Sequence, residues 1–135
     1  MNRVRVLLAD DHPAMLEHLV QMLQRQFEVV GTVHDGQALV EADAATHPDV
    51  IISDISMPIL SGLEAANYLK STDSKAKIIF LTVHEDPDYV SAALDAGAAC
   101  YVVKSRMAAD LMTAITKALK GQRFISPCVR RKRSC

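Results

Sequence analysis

Four places in this chain of 135 residues hold side chains able to handle a phosphoryl group. Asp10 and Asp11 are adjacent, Asp54 follows an apolar run, Thr82 closes another, and Lys104 comes directly after Tyr101-Val102-Val103. Carboxylates brought close together repel one another, and such a set needs a cation beside it. Carboxylate oxygens, with water and a backbone carbonyl, suit Mg²⁺. A lysine at the same place can neutralise an incoming anion, and a threonine hydroxyl can hydrogen-bond a phosphoryl oxygen. A carboxylate held in this way is a competent nucleophile and yields an aspartyl phosphate. Each residue alone has a plainer reading. Asp11 could cap a helix beginning near Pro13, Thr82 could be an ordinary β-branched strand residue, and Lys104 a solvated charge. Only the set points to chemistry.

The elements that must bring these residues together are legible as alternation. Short, nearly continuous apolar runs at Arg3–Ala9, Val29–Val33, Val50–Ser53, Lys77–Thr82 and Cys100–Val103 read as strands buried on both faces. Between them lie helical periodicities. Ala14–Arg25 sets Met15, Leu16, Leu19, Val20 and Leu23 on one face, with Pro13 suited to its first turn. Asp35 can cap a helix running to about Thr46, Gly62–Lys70 is a shorter helix, and Asp86-Pro87 opens one that ends at Gly97. Met107, Leu111, Ala114, Ile115, Ala118 and Leu119 form the apolar stripe of a last helix, stopped by Gly121. Five strands alternating with five helices predict an α/β fold, a doubly wound parallel sheet with helices on both faces. Its ligand sites lie at the carboxyl ends of the strands. Asp10, Asp11, Asp54, Thr82 and Lys104 all fall at such ends, so they should share one rim.

Bulk properties set the outer bounds. Half of the residues are apolar but only 4% are aromatic, so Val, Ile, Leu and Ala must build the core. The net charge of −1 hides an asymmetry. Residues 1–122 hold 16 acidic and 10 basic side chains, whereas residues 123–135 hold 5 basic ones (Arg123, Arg130, Arg131, Lys132 and Arg133) and no acid. Cys100, Cys128 and Cys135 show no metal-type spacing and read as free thiols. The amino terminus lacks a signal-like apolar stretch, and no run approaches the ~18 residues needed to cross a bilayer. A soluble cytoplasmic protein without a membrane partner is expected. The five histidines (12, 18, 34, 47 and 84) show no ligand spacing and are expected on surfaces, but His84 should overhang the rim.

The ordered motifs resemble a response-regulator receiver domain of two-component systems. They are Asp10-Asp11 after a strand, Asp54-Ile55-Ser56-Met57-Pro58 with Gly62 eight residues past Asp54, Thr82, and Tyr101-Val102-Val103-Lys104. The match covers about residues 3–121. The resemblance implies a flavodoxin-like sheet in the order 2-1-3-4-5, and domain limits of 1–121 with 122–135 as a linker or basic C-terminal tail. It makes Asp54 the phosphoacceptor. It makes Asp11, Asp54 and the Ser56 carbonyl direct Mg²⁺ ligands, with Asp10 acting through water. Lys104 and Thr82 would bind the phosphoryl group, Thr82 and Tyr101 would form a switch pair, and Pro58 and Gly62 would shape the loop after Asp54. Ser56, Val83 and His84 would tune access and dephosphorylation. Val83 departs from the small residue usual after the switch threonine, and should crowd the approach. Ser105 stands where many receivers have proline, so a trans bond is expected after Lys104.

Residues 119–127 resemble the join between a receiver and the LuxR-type helix-turn-helix of NarL-like transcription regulators. The implied partners are a sensor histidine kinase or phosphotransfer protein, a second copy through the last two helices or the first, and DNA only through a C-terminal domain absent from this chain. Other readings are a stand-alone or degenerate receiver acting by protein contact, and a haloacid-dehalogenase-type phosphatase. The phosphatase would carry a second acid two residues after the nucleophile, where this chain has Ser56. No enzyme activity is expected beyond its own phosphorylation and dephosphorylation. A dinucleotide-binding domain is excluded because no glycine-rich turn follows the first strand.

Overall fold

A computed structural model describes residues 3–130. Strands β1 (Arg5–Ala9), β2 (Glu28–Val33), β3 (Val50–Ser53), β4 (Lys77–Thr82), β5 (Cys100–Val103) and β6 (Phe124–Ile125) form one parallel sheet in the order β2-β1-β3-β4-β5-β6. Helices α1 (Pro13–Leu23), α2 (Gly36–Thr46), α3 (Gly62–Ser71), α4 (Pro87–Asp95), α5 (Met107–Leu119) and the short α6 (Pro127–Arg130) connect or follow them, and Lys104–Arg106 is a 3-10 turn.

Alternate strand residues feed two core layers. Val6, Leu8, Ile52, Ile79 and Val102 pack with Leu16, Leu19 and Leu23 of α1 and Leu111, Ala114 and Ile115 of α5. Leu7, Ala9, Ile51, Phe80, Tyr101 and Val103 face the other way, with Leu39 of α2, Ala65 and Leu69 of α3, and Val90 and Ala93 of α4. Each fully buried Leu or Ile contributes about 1.5–3 kcal/mol over exposure. Burial on both faces explains why the strand sequences show no polar alternation.

Several expectations need correction. β1 starts at Arg5, not Arg3, and α1 stops at Leu23, short of Arg25. Asp11 does not cap α1. His12 occupies the cap position without a side-chain bond, and the Asp10 carboxylate accepts the His12 N–H at 2.9 Å instead. Asp35 does cap α2, accepting from the Ala38 N–H at 2.7 Å. Leu119 leaves the apolar stripe of α5 and is exposed. It lies past the amino ends of the strands, over an open cleft shared with Val4 and Lys77. The sheet has six strands rather than five. Within residues 124–129, read as part of a linker, Phe124 and Ile125 pair with β5 and Val129 is buried against the core. The peptide after Lys104 is trans. Arg131, Lys132, Arg133 and Cys135 lie outside the described residues, as do the side chains of Cys128 and Arg130, so the free-thiol reading is met only at Cys100, which is buried.

Candidate phosphoacceptor site

Parallel strands deliver their carboxyl ends to one rim, and the backbone there is tied from strand to strand. The Asp10 N–H donates to the Val33 carbonyl at 3.1 Å, and the Asp54 N–H to the Ala9 carbonyl at 3.0 Å. These bonds bring Asp10 and Asp54, both buried, to the same depth. Asp54 is 5% exposed. Its Oδ1 accepts from the Ile55 N–H at 2.7 Å, and its Oδ2 faces Lys104 Nζ at 3.2 Å. The same ammonium reaches Asp10 Oδ2 at 2.8 Å. Burial by itself would lower the Lys104 pKa. The hydrogen bond to Asp10 and the charges of Asp54 and Asp10 outweigh it and hold the group above the ordinary lysine value.

Donor atoms of Asp10, Asp11, His12 and Asp54 lie within 4.8 Å of one another. Three carboxylates at that spacing, one of them exposed, form a hard oxygen set that fits a small divalent cation. Ser56 lies two residues on, exposed in the loop after β3. His12 had no ligand signal in the sequence. Its Nδ1 sits 2.9 Å from Asp10 Oδ1 and 3.0 Å from Asp11 Oδ1, because the turn that Asp10 makes with the His12 N–H folds the ring back over the pair.

His84 gathers the remaining predicted residues. The Thr82 hydroxyl accepts its N–H at 3.3 Å, and the fully buried Tyr101 donates its hydroxyl to the His84 carbonyl at 2.8 Å. The imidazole Nε2 is 2.9 Å from Ser56 Oγ, and the ring stacks on Tyr89 with centroids 4.1 Å apart. Burial, then the charges of Tyr89, Asp54 and Asp86, push the Tyr101 phenol well above its ordinary pKa. Val83 is 66% exposed on the same loop.

Two glycines hold the loop after Asp54. A Cβ on Gly62 would meet the Asp54 carbonyl oxygen at 2.0 Å, and the Gly62 N–H donates to the Ile55 carbonyl at 2.7 Å. Gly36 makes the same kind of approach to Leu60, where a Cβ would stand 2.1 Å from the carbonyl oxygen. Gly62 was legible in the sequence. Gly36 was not, since its constraint comes from a loop more than twenty residues away.

The comparisons agree with this geometry. The response regulator receiver domain model matches residues 6–116. The transcriptional regulatory protein DegU of Brevibacillus brevis is 34% identical over 130 residues, which is 95% of this chain and 55% of DegU. The chain therefore spans about half the length of that relative. A LuxR-family two-component response regulator from Aurantimonas sp. SI85-9A1 superposes with a TM-score of 0.91 at 31% identity, covering 96% of this chain and 94% of that one. The isolated receiver domain of RcsB from Salmonella enterica serovar Typhimurium, solved with the phosphomimetic BeF3⁻, gives 0.88 at 31% identity over 98% of this chain and all of that one. With an acidic pocket at the carboxyl rim of a parallel sheet in the order 2-1-3-4-5-6, and a family match over most of its length, this chain belongs to the receiver domains of two-component response regulators.

Proposed function

We propose that Asp54 accepts a phosphoryl group from a phosphohistidine of a sensor histidine kinase or phosphotransfer protein. The observation that carries this reading is the Lys104 ammonium shared between Asp10 and Asp54, with the exposed Asp11 in the same acidic cluster. A carboxylate oxygen of Asp54 attacks phosphorus, the P–N bond breaks, and the imidazole leaves with the electron pair. Lys104 meets the charge on the phosphoryl oxygens, and the Thr82 hydroxyl turns from the His84 N–H to donate to one of them. A Mg²⁺ ion held by Asp11, Asp54 and the Ser56 carbonyl, with Asp10 acting through water, would supply further charge neutralisation there. Movement of Thr82 frees the loop that Tyr101 grips through His84. The two residues thereby bias a population of two states rather than push a lever. Ser56, Val83 and His84 would govern how donors and water reach Asp54.

The output we infer is transcriptional, through a DNA-binding domain following residues 1–121 and their C-terminal extension, with a second copy of the chain among its partners. The support is the likeness to DegU, a transcriptional regulatory protein of which this chain spans 55%, and to RcsB, solved as dimers bound to DNA. Such a receiver would work in the cytoplasm beside its kinase. Among the described residues no helix is long and apolar enough to cross a membrane. The test is incubation with Mg²⁺ and a small phosphodonor, following the mass gain of one phosphoryl group. Wild type should take the label and Asp54→Asn should not; equal labelling of the two sinks the assignment.

A further inference from the structure

The chain beyond α5 is bound back onto the strand that carries Tyr101 and leads into Lys104. Ser126 is fully buried. Its N–H donates to the Tyr101 carbonyl at 2.9 Å. Its Oγ accepts the Val103 N–H at 3.2 Å and donates to Asp110 Oδ2 at 2.9 Å. Asp110, buried on α5, also receives Nε and Nη2 of Arg106, both at 3.3 Å.

These bonds form a bracket. Val103 precedes Lys104 and Arg106 follows it by two residues, so both ends of the 103–106 segment are held by one Ser126–Asp110 pair. Lys104 leaves the middle of that bracket to reach Asp10 and Asp54. We propose that Ser126 and Asp110 are positioning residues for Lys104, which makes the segment after Arg123 a working part of the phosphoryl-transfer machinery. The proposal rests on the reading of Asp54 as acceptor.

A lysine on a flexible four-carbon stem is a poor point charge unless its backbone is fixed. Rate is sensitive to such placement, since a misplacement of about 1 Å can cost on the order of 100-fold. Coupling of this kind is reciprocal. Whatever draws Lys104 toward a phosphoryl group strains the bracket, and whatever clamps residues 124–129 from beyond alters Lys104. Val129 adds to the tie, packing in the same core layer as Tyr101 and Val103.

A merely stabilising clasp is the plain alternative, and the molecule contains a control for it. Ser74 Oγ donates to the buried Asp43 at 2.9 Å, and both line the cleft at the amino ends of the strands, away from the pocket. The experiment uses the full chain with Ser126→Ala, Asp110→Asn, the double variant and Ser74→Ala. It reads the initial rate of Asp54 labelling against acetyl phosphate concentration at saturating Mg²⁺, together with Mg²⁺ affinity and Tm.

The rate at saturating donor should fall roughly tenfold in Ser126→Ala and in Asp110→Asn, with half-saturation and Mg²⁺ affinity unchanged. The double variant should be no slower than the slower single, because both act through one pair. Ser74→Ala should lose Tm and keep its rate. Wild-type rates in both bracket variants, or a rate that falls in Ser74→Ala as far as in the bracket variants at an equal loss of Tm, overturn the proposal. Reductive methylation of Lys104, mapped by mass spectrometry, provides a readout independent of labelling. Methylation should be faster in the bracket variants than in wild type. Unchanged protection of Lys104 overturns the proposal even if no protein takes the label, a result that would separately end the reading of Asp54.

Discussion

Lys104 and Tyr101 show how a buried site stores its charge and its response. One ammonium answers two carboxylates, each bond being a charge-assisted one that contributes about 1.5–3 kcal/mol. Tyr101 is held neutral in the core by burial and by acidic neighbours. A phenol that ionises less readily when folded than when unfolded contributes stability that is fully present below the unfolded pKa, near 10. That stability is lost as pH rises through the higher folded value. Above about pH 10 the Tyr101 part of the loss should run at about 1.4 kcal/mol per pH unit. Tyr101→Phe removes this part. Denaturant melts at about pH 8 and about pH 11 should show a smaller alkaline loss for the Phe variant. Equal losses would mean that Tyr101 does not dominate the alkaline limb. At neutral pH the variant gives up one hydrogen bond, about 1 kcal/mol.

The loop between β3 and α3 is the element under most geometric constraint. The Leu60 N–H donates to the Pro58 carbonyl at 2.7 Å around Ile59, whose φ is 70°. A β-branched residue with positive φ costs on the order of 1–3 kcal/mol, and Ile59 is exposed, so packing does not offset that cost. The surrounding contacts hold the turn, and Gly62 against the Asp54 carbonyl is the tightest of them. Gly62→Ala should destabilise by more than about 2 kcal/mol, and it should slow labelling of Asp54 because the atom that must move belongs to that residue. A Tm within a few degrees of wild type would count against this account. The sequence made part of this legible. The spacing of Gly62 from Asp54 is a visible motif, and Pro58 marks a turn. The strain at Ile59 is invisible in sequence because nothing about an isoleucine announces a left-handed conformation.

The whole molecule is one sheet between two helical layers, and stability should be graded across it. β1, β3 and β4 are central and covered on both faces. β6 pairs along two residues at the edge. Amide exchange in β1, β3 and β4 should require global unfolding, while Phe124, Ile125 and Ser126 should exchange through a smaller opening. Exchange of both groups at one common rate would show that the C-terminal segment is as integral as the core.

Sequence alone determined the alternation of strands and helices, the apolar faces, and the strand-end positions of Asp10, Asp11, Asp54, Thr82 and Lys104. It could do so because those signals are local: runs of apolar residues, caps and spacing within one element. Tertiary structure alone decided that His12 folds over the acidic pair, that His84 joins Ser56, Tyr89, Thr82 and Tyr101, that Gly36 is pressed against Leu60, and that Ser126 and Asp110 bracket Lys104. Each of these depends on groups far apart in the chain that meet only when parallel strands bring their ends to one rim. The two-residue strand β6 exists only because β5 offers it an unpaired edge.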